Sequence, residues 1–178
     1  MRGISPAGRG RRQRSADEGE TSPSFNGEIM EDVIIYTDGG CSGNPGPGGW
    51  GIVVIADGLV KQLSGGEKDT TNNKMELTAA INALKVVRNT PSFAGRKIIV
   101  NIDSQYVRNG ITSWIKNWKA KGWKTADKKP VKNQELWEEL DALNAGLDIN
   151  WNWVKGHAGV EFNEMCDKLC KMEMAKFR

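Results

Sequence analysis

Histidine is almost missing from this chain: His157 is the only one among 178 residues. With one imidazole, and with cysteines that lack a metal-finger spacing, a zinc centre is disfavoured. Cysteine is sparse and odd in number (Cys41, Cys166, Cys170), which argues against a disulfide framework and for reduced thiols. Cys166 and Cys170 are one helical turn apart, but a soft pair without further ligands fits buried structural thiols better than a metal site. No apolar run approaches the ~20 residues that span a bilayer, and none near the N-terminus resembles a signal-peptide core. A soluble, cytoplasmic protein with no membrane contact is expected. Large apolar side chains are also scarce in residues 1–30, where Gly, Ser, Pro and Arg dominate, so this segment cannot bury enough surface to fold. It reads as a disordered tail or, because Met30 stands immediately before the first strand, as a mis-called extension. Its arginines (Arg2, Arg9, Arg11, Arg12, Arg14) are offset by Asp17, Glu18 and Glu20, which works against a transit signal. Residues 31–178 are enough for one domain with a real core.

What is present is organised around residues 32–50, D-V-I-I-Y-T-D-G-G-C-S-G-N-P-G-P-G-G-W. The β-branched and aromatic run from Val33 to Thr37 reads as an interior strand ending on Asp38, with Gly39 and Gly40 expected to turn the backbone sharply. Residues 50–55 and 59–63 are two further strands joined by Ala56-Asp57-Gly58, a hairpin signal. From Thr71 the period changes to that of a helix, with Met75, Leu77, Ala80, Ala83, Leu84 and Val87 on its apolar side and Glu76 in its early turns. A strand over 96–102 ends at Asp103, and a short helix follows over 104–109. Residues 133–145 read as a helix, 148–154 as the last strand and 163–176 as a terminal helix. The order β-β-β-α-β-α-α-β-α predicts an α/β fold with a five-stranded mixed sheet, three strands antiparallel and two added in parallel through helical crossovers.

In such sheets ligands gather at the carboxyl ends of neighbouring strands, where Asp38 and Asp103 fall if their strands are adjacent. Glu76, and Asp167 early in the terminal helix, are positioned to face the same spot. Carboxylates crowded together repel one another unless a cation neutralises them, so a shared site implies a hard divalent metal, Mg²⁺ or Mn²⁺. Hydrolysing a phosphodiester requires an activated water, stabilisation of developing charge and protonation of a leaving oxygen. Two acid-held cations serve the first two needs, and a mobile imidazole in the K-G-H-A-G loop suits the third.

The segments T-D-G-G-C-S-G-N-P-G-P-G-G-W-G, T-T-N-N-K-M-E-L, D-S-Q-Y-V-R-N-G-I, W-K-A-K-G-W-K-T-A-D-K-K-P-V-K-N and V-K-G-H-A-G-x-x-x-N-E-x-C-D, in this order over about residues 32–171, resemble the bacterial type of ribonuclease H (type I). The resemblance implies a ribonuclease H-like catalytic domain over 31–178. It implies that Asp38, Glu76, Asp103 and Asp167 hold two Mg²⁺ ions, with Mn²⁺ as a substitute, and that His157 is the family's mobile histidine. The implied activity is endonucleolytic cleavage of the RNA strand of RNA–DNA hybrids, leaving 3′-hydroxyl and 5′-phosphate ends, by a monomer without an obligate protein partner.

An RNA–DNA hybrid is told apart by ribose 2′-hydroxyls, which short polar side chains can read across the shallow groove. Cys41, Asn44, Asn73 and Gln105 lie next to the acids in sequence and resemble the family's hybrid-contacting positions. Thr71 and Asn44 are similar to the residues that hold a DNA-strand phosphate, although T-T-N-N is also a good helix-capping sequence. Residues 114–132 hold seven lysines and one aspartate, while the rest of the folded part is net negative. One concentrated basic element on a near-neutral protein is arranged for a polyanion. Trp114, Trp118, Lys119, Lys121 and Lys124, with a bend at Gly122, resemble the family's basic protrusion on the DNA strand. The alternatives are a non-catalytic hybrid-binding module, needing only the basic surface, and an integrase-like DNA nuclease core sharing the acid cluster.

Overall fold

The computed structural model describes residues 30–155 and 161–177. The expected tail and His157 lie outside the described residues. Five strands, β1 (Val33–Cys41), β2 (Gly46–Ala56), β3 (Leu59–Thr70), β4 (Ile98–Ile102) and β5 (Ile149–Trp153), form one sheet in the order β3-β2-β1-β4-β5. The β1–β2 and β2–β3 pairs are antiparallel, and the β1–β4 and β4–β5 pairs are parallel. This is the expected mixed sheet: two tight hairpins make the meander, and helical connections supply the parallel strands. The helices are α1 (Asn72–Arg88), α2 (Gln105–Asn109), α3 (Ile115–Ala120), α4 (Gln134–Asn144) and α5 (Glu161–Ala175).

Close packing at glycine fixes where the helices lie. A Cβ on Gly39 would come within 2.4 Å of the Met75 carbonyl carbon, so α1 rests directly on the β1 backbone. Gly39 pairs with Trp50, which places Gly49 and Gly51 on the opposite face of the sheet. There a Cβ would meet the carbonyl oxygens of Cys170 at 2.5 Å and Cys166 at 2.7 Å, so α5 is seated as closely as α1. Leu77, Ala80, Ile81 and Leu84 of α1 join Val33, Ile35, Val100 and Ile102 of the central strands and Trp137 and Leu140 of α4 in one core. Cys166 and Cys170 are buried and reduced, as expected.

Several boundaries differ from the sequence reading. The sharp turn expected at Gly39 and Gly40 does not occur: β1 continues through both to Cys41, pairing Gly39 with Trp50 and Gly40 with Gly49. Likewise β2 starts at Gly46 rather than at residue 50, and β3 runs to Thr70 rather than to 63. Glycine lowers strand propensity, but at Gly39, Gly49 and Gly51 it is what lets helical backbones touch the sheet. After β4, the helix expected to stop at Asn109 passes through a π-turn (Gly110–Trp114) into α3. Among the described residues no helix is long and apolar enough to cross a membrane.

Candidate active site

Thr37 of β1 pairs with Ile102 of β4 in parallel register, so Asp38 and Asp103 come next, side by side on adjacent central strands. Asp38 remains within β1, opposite Gly51, and its Oδ1 accepts a hydrogen bond from the Gly39 N–H at 3.0 Å. The bare backbone at Gly39 brings Met75 and Glu76 down onto β1. As a result one carboxylate oxygen each from Asp38, Glu76 and Asp103 lie within 4.8 Å of one another.

Two of these acids, Asp38 and Glu76, are each only 8% exposed. Burial holds the Glu76 carboxyl well above the ordinary carboxylate range, and the charges of Asp103 and Asp38 push it further the same way, against a stabilising hydrogen bond from the Gly39 backbone. Two ionised carboxylates at 4.8 Å repel by about 3 kcal/mol at an effective dielectric of ~20. The group therefore favours partial protonation or a cation. Glu76 Oε1 has no hydrogen-bond partner among the described residues, an unsatisfied hard oxygen inside an all-oxygen donor set. Such a set fits a hard divalent cation and does not fit zinc, which prefers nitrogen and sulfur.

Asp167 is on α5 and is not one of the three clustered acids. Its carboxylate pairs with Lys171 Nζ one turn later, at 2.9 Å. The preceding residue is tied to β1, where the Cys166 thiol donates to the Tyr36 carbonyl at 3.3 Å. Burial, and next the charge of Asp38, push the Cys166 and Cys170 thiols far up, so both stay neutral beside the acids. The expected role of His157 falls outside the described residues.

The expected substrate contacts divide into groups. Asn44, in the β1–β2 loop, accepts from the Asn72 N–H through Oδ1 at 3.0 Å, and Thr71 Oγ1 accepts from the Lys74 N–H at 3.2 Å. Both therefore sit together at the start of α1 and cap it, with Asn73 exposed beside them. The Cys41 thiol faces into the hairpin, 3.2 Å from the carbonyl oxygens of Gly46 and Thr70, and burial raises it. Gln105 is exposed at the start of α2, behind Ser104, whose Oγ caps that helix. Trp118 stacks between Trp114 at 5.9 Å and Trp123 at 6.2 Å and reaches the buried Trp137 at 5.3 Å, so it anchors the arm to the core. Trp114 is 38% exposed. Lys121 and Lys124 are exposed, and Lys119 pairs with Asp141 of α4 at 3.0 Å. The expected bend is present, with positive φ at Gly122 and Trp123.

Two features at this end of the sheet were not read from the sequence. Lys171 stands four residues after Asp167, a spacing that could have signalled the pair. Trp153 of β5 donates its indole N–H to the Asp103 carbonyl at 3.1 Å, a tertiary contact with no local signature.

The RNase H family profile matches residues 30–175. A ribonuclease H of Maricaulis maris is 54% identical over 149 residues, 84% of this chain and 97% of that protein. A ribonuclease H of Chromobacterium violaceum is 58% identical over 138 residues, 77% of this chain and 90% of that one. Among solved structures, a type 1 RNase H with the type 2 active-site motif superposes with a TM-score of 0.74 at 29% identity, over 85% of this chain and 75% of that one. A profile match over most of the chain, relatives identical at more than half of the aligned positions and a superposable solved structure together establish that this chain belongs to the ribonuclease H family, in its bacterial form.

Proposed function

We propose that this chain hydrolyses the RNA strand of RNA–DNA hybrids internally, leaving 3′-hydroxyl and 5′-phosphate ends, with Asp38, Glu76, Asp103 and Asp167 holding two Mg²⁺ ions and Mn²⁺ able to replace them. The observation that carries the reading is the three-acid group, its oxygens within 4.8 Å, with Asp38 in β1, Asp103 directly after the adjacent β4 and Glu76 on α1 packed against them in a ribonuclease H-family fold. When bound, such cations activate a water and stabilise the charge that develops on the phosphate. Asp38 and Asp103 set the spacing, because each directly follows the last pair of the β1–β4 ladder, Thr37 with Ile102. Glu76, biased towards its protonated form by burial and by its neighbours, gives up its proton as a cation is taken on, so cation uptake is linked to proton release. Asp167 joins by exchanging its Lys171 partner for the site. His157 moves a proton near the attacking water or at the departing product.

Discrimination falls to Cys41, Asn44, Asn73 and Gln105 at the ribose 2′-hydroxyls. Thr71 and Asn44 hold a DNA-strand phosphate, and Trp114, Trp118, Lys119, Lys121 and Lys124 grip the DNA strand from the arm. The same reading makes the protein a cytoplasmic monomer. Its test is a labelled RNA–DNA hybrid beside RNA–RNA and DNA–DNA duplexes, each with and without Mg²⁺. Only the hybrid is cut, and only with the cation; cleavage of DNA–DNA, or of hybrid in chelator, overturns the reading.

A further inference from the structure

A recess opens at the same end of the sheet as the acids, beyond Asp103. It has a volume of about 390 Å³ and is lined by Gln105, Arg108 and Asn109 of α2 and by Asn152 and Trp153 of β5. Its lining includes a guanidinium, three amides and an indole, with no carboxylate among them. Arg108 forms no ion pair among the described residues. Its side-chain hydrogen bonds are long, from Nε to the Trp151 carbonyl at 3.4 Å and from Nη1 to Asn109 Oδ1 at 3.5 Å. Most of its donor fork therefore remains available. Asn152 is anchored by donating to Oδ1 of the buried Asn101 at 2.7 Å, which leaves its own carbonyl oxygen for a ligand. Trp153 is 42% exposed, yet its N–H is fixed to the Asp103 carbonyl. The recess is thus bolted to one of the proposed cation-holding residues.

We infer that this recess is an additional subsite for the RNA strand, in which Arg108 takes a backbone phosphate and the Asn152 and Gln105 amides meet the adjoining ribose, with the Trp153 ring as a wall. The inference rests on the function proposed above. Three observations support the assignment. A planar guanidinium with no counter-ion among the described residues, flanked by amides, matches phosphate and hydroxyl rather than a cation or an apolar ligand. The sheet order separates the two strands of a hybrid: Asn44 and Thr71 lie on the β2–β3 side of the acids, whereas the recess lies on the β5 side. With the DNA phosphate assigned to the first, the second faces the continuation of the strand being cut. Position agrees, since Trp153 of the recess donates to the Asp103 carbonyl at 3.1 Å, so the recess adjoins the acid group.

The test measures hybrid cleavage and binding by the wild type, Arg108→Gln, Arg108→Lys and Asn152→Ala. Binding is measured in chelator across a salt series. Arg108→Gln is expected to raise KM about tenfold with kcat within about twofold, and to lower the slope of log K against log salt by about 0.9, one phosphate contact. Arg108→Lys restores the slope while recovering only part of KM, because an ammonium lacks the fork. Asn152→Ala raises KM without moving the slope. A nested set of hybrids, with RNA progressively shortened from either end relative to the cut, locates the contact. The wild-type advantage over Arg108→Gln disappears when RNA on one side is removed and persists when the other side is trimmed. An unchanged KM and slope in Arg108→Gln, with the wild type cutting hybrid normally, overturns the subsite alone. A wild type that leaves hybrid intact overturns the proposed function and the subsite with it.

Discussion

The acid end of the sheet and the basic arm are built in opposite ways. Asp38, Glu76 and Asp103 come from three elements distant in sequence, and a helix backbone resting on strand backbone at Gly39 holds them together. The arm is local: α3 and the bend after it carry exposed lysines, attached through the stack of Trp118 on Trp123 and Trp137. Chemistry at a phosphate tolerates little misplacement of the reacting groups, so the acids sit where nothing can shift. Attraction to a polyanion depends on the number of charges more than on their exact coordinates. In the proposed function, exposed lysines on and after a tethered helix meet that need.

The largest separation between the two regions is expected in turnover. Asp103→Asn keeps the size of the side chain but removes a charge from the three-acid group, and kcat should fall by roughly 10²–10³-fold or more, the scale for losing a preorganised charge at a reaction centre. Lys121→Ala should change kcat less than about twofold at saturating hybrid. Comparable kcat losses in a side-by-side assay would erase the distinction.

Glycine offers a sharper contrast within stability. Gly39→Ala puts a methyl group 2.4 Å from the Met75 carbonyl carbon, and such overpacking costs about 1–3 kcal/mol. Because the relief is for α1 to move off β1, Glu76 moves too, and kcat falls together with Tm. On the arm, Gly122 has a φ of 69° and nothing within 4 Å of its missing Cβ. Gly122→Ala should therefore cost only the ~1–2 kcal/mol of a left-handed residue, with kcat unchanged. Thermal melts and single-turnover rates on both variants decide it; a Gly39→Ala protein with normal kcat would mean that α1 is not held by this contact.

A third contrast is in pH dependence. In metal-free protein the native Glu76 carboxyl is held well above its ordinary value of 4.5, so above that pH the native state retains a proton that the unfolded chain has released. Stability from this position is therefore full below about the ordinary value and declines as pH rises towards the native one. Glu76→Gln removes that decline. Denaturant midpoints in chelator from acid to mildly alkaline pH should fall for the wild type relative to the variant, and Mg²⁺ should return more stability to the wild type at the alkaline end. The opposite slope would mean that Glu76 is already ionised without a cation.

The same division decides how much was legible in the sequence. The β-branched runs and the Asp57-Gly58 hairpin marked the strands, and the helical period after Thr71 marked α1, because local propensity and tertiary demand agree there. That Asp38 and Asp103 come side by side followed from the topology, although Asp38 lies within β1 rather than at its end. What stayed hidden was the use of glycine: Gly39 and Gly40 read as a turn, yet both continue β1, and at Gly39 the missing side chain admits the backbone of α1. The Trp153–Asp103 tether and the recess beside it were equally illegible, because they join residues that share no local pattern.

The smallest expected effects lie within the arm, where its lysines are not equivalent. Lys121 and Lys124 are exposed, whereas Lys119 is paired with Asp141 at 3.0 Å, the two side chains being 56% and 26% exposed. If the arm grips the DNA strand, replacing either exposed lysine with alanine lowers the slope of log K against log salt by about 0.9, one phosphate contact. Lys119 can trade Asp141 for a phosphate, because an exposed pair is worth only about 0.2–1 kcal/mol. Its loss should lower the slope by nearly as much, but with a smaller drop in affinity at low salt, since binding first has to break the pair. Asp141→Asn removes that competition and should tighten hybrid binding by about one-and-a-half- to fivefold at low salt, the same interval of energy expressed as affinity. Filter binding of a short hybrid by the single variants reads all of these. An unchanged slope for Lys121→Ala and Lys124→Ala would show an arm that packs without gripping, and an Asp141→Asn variant that binds as the wild type does would show that Lys119 never leaves its partner.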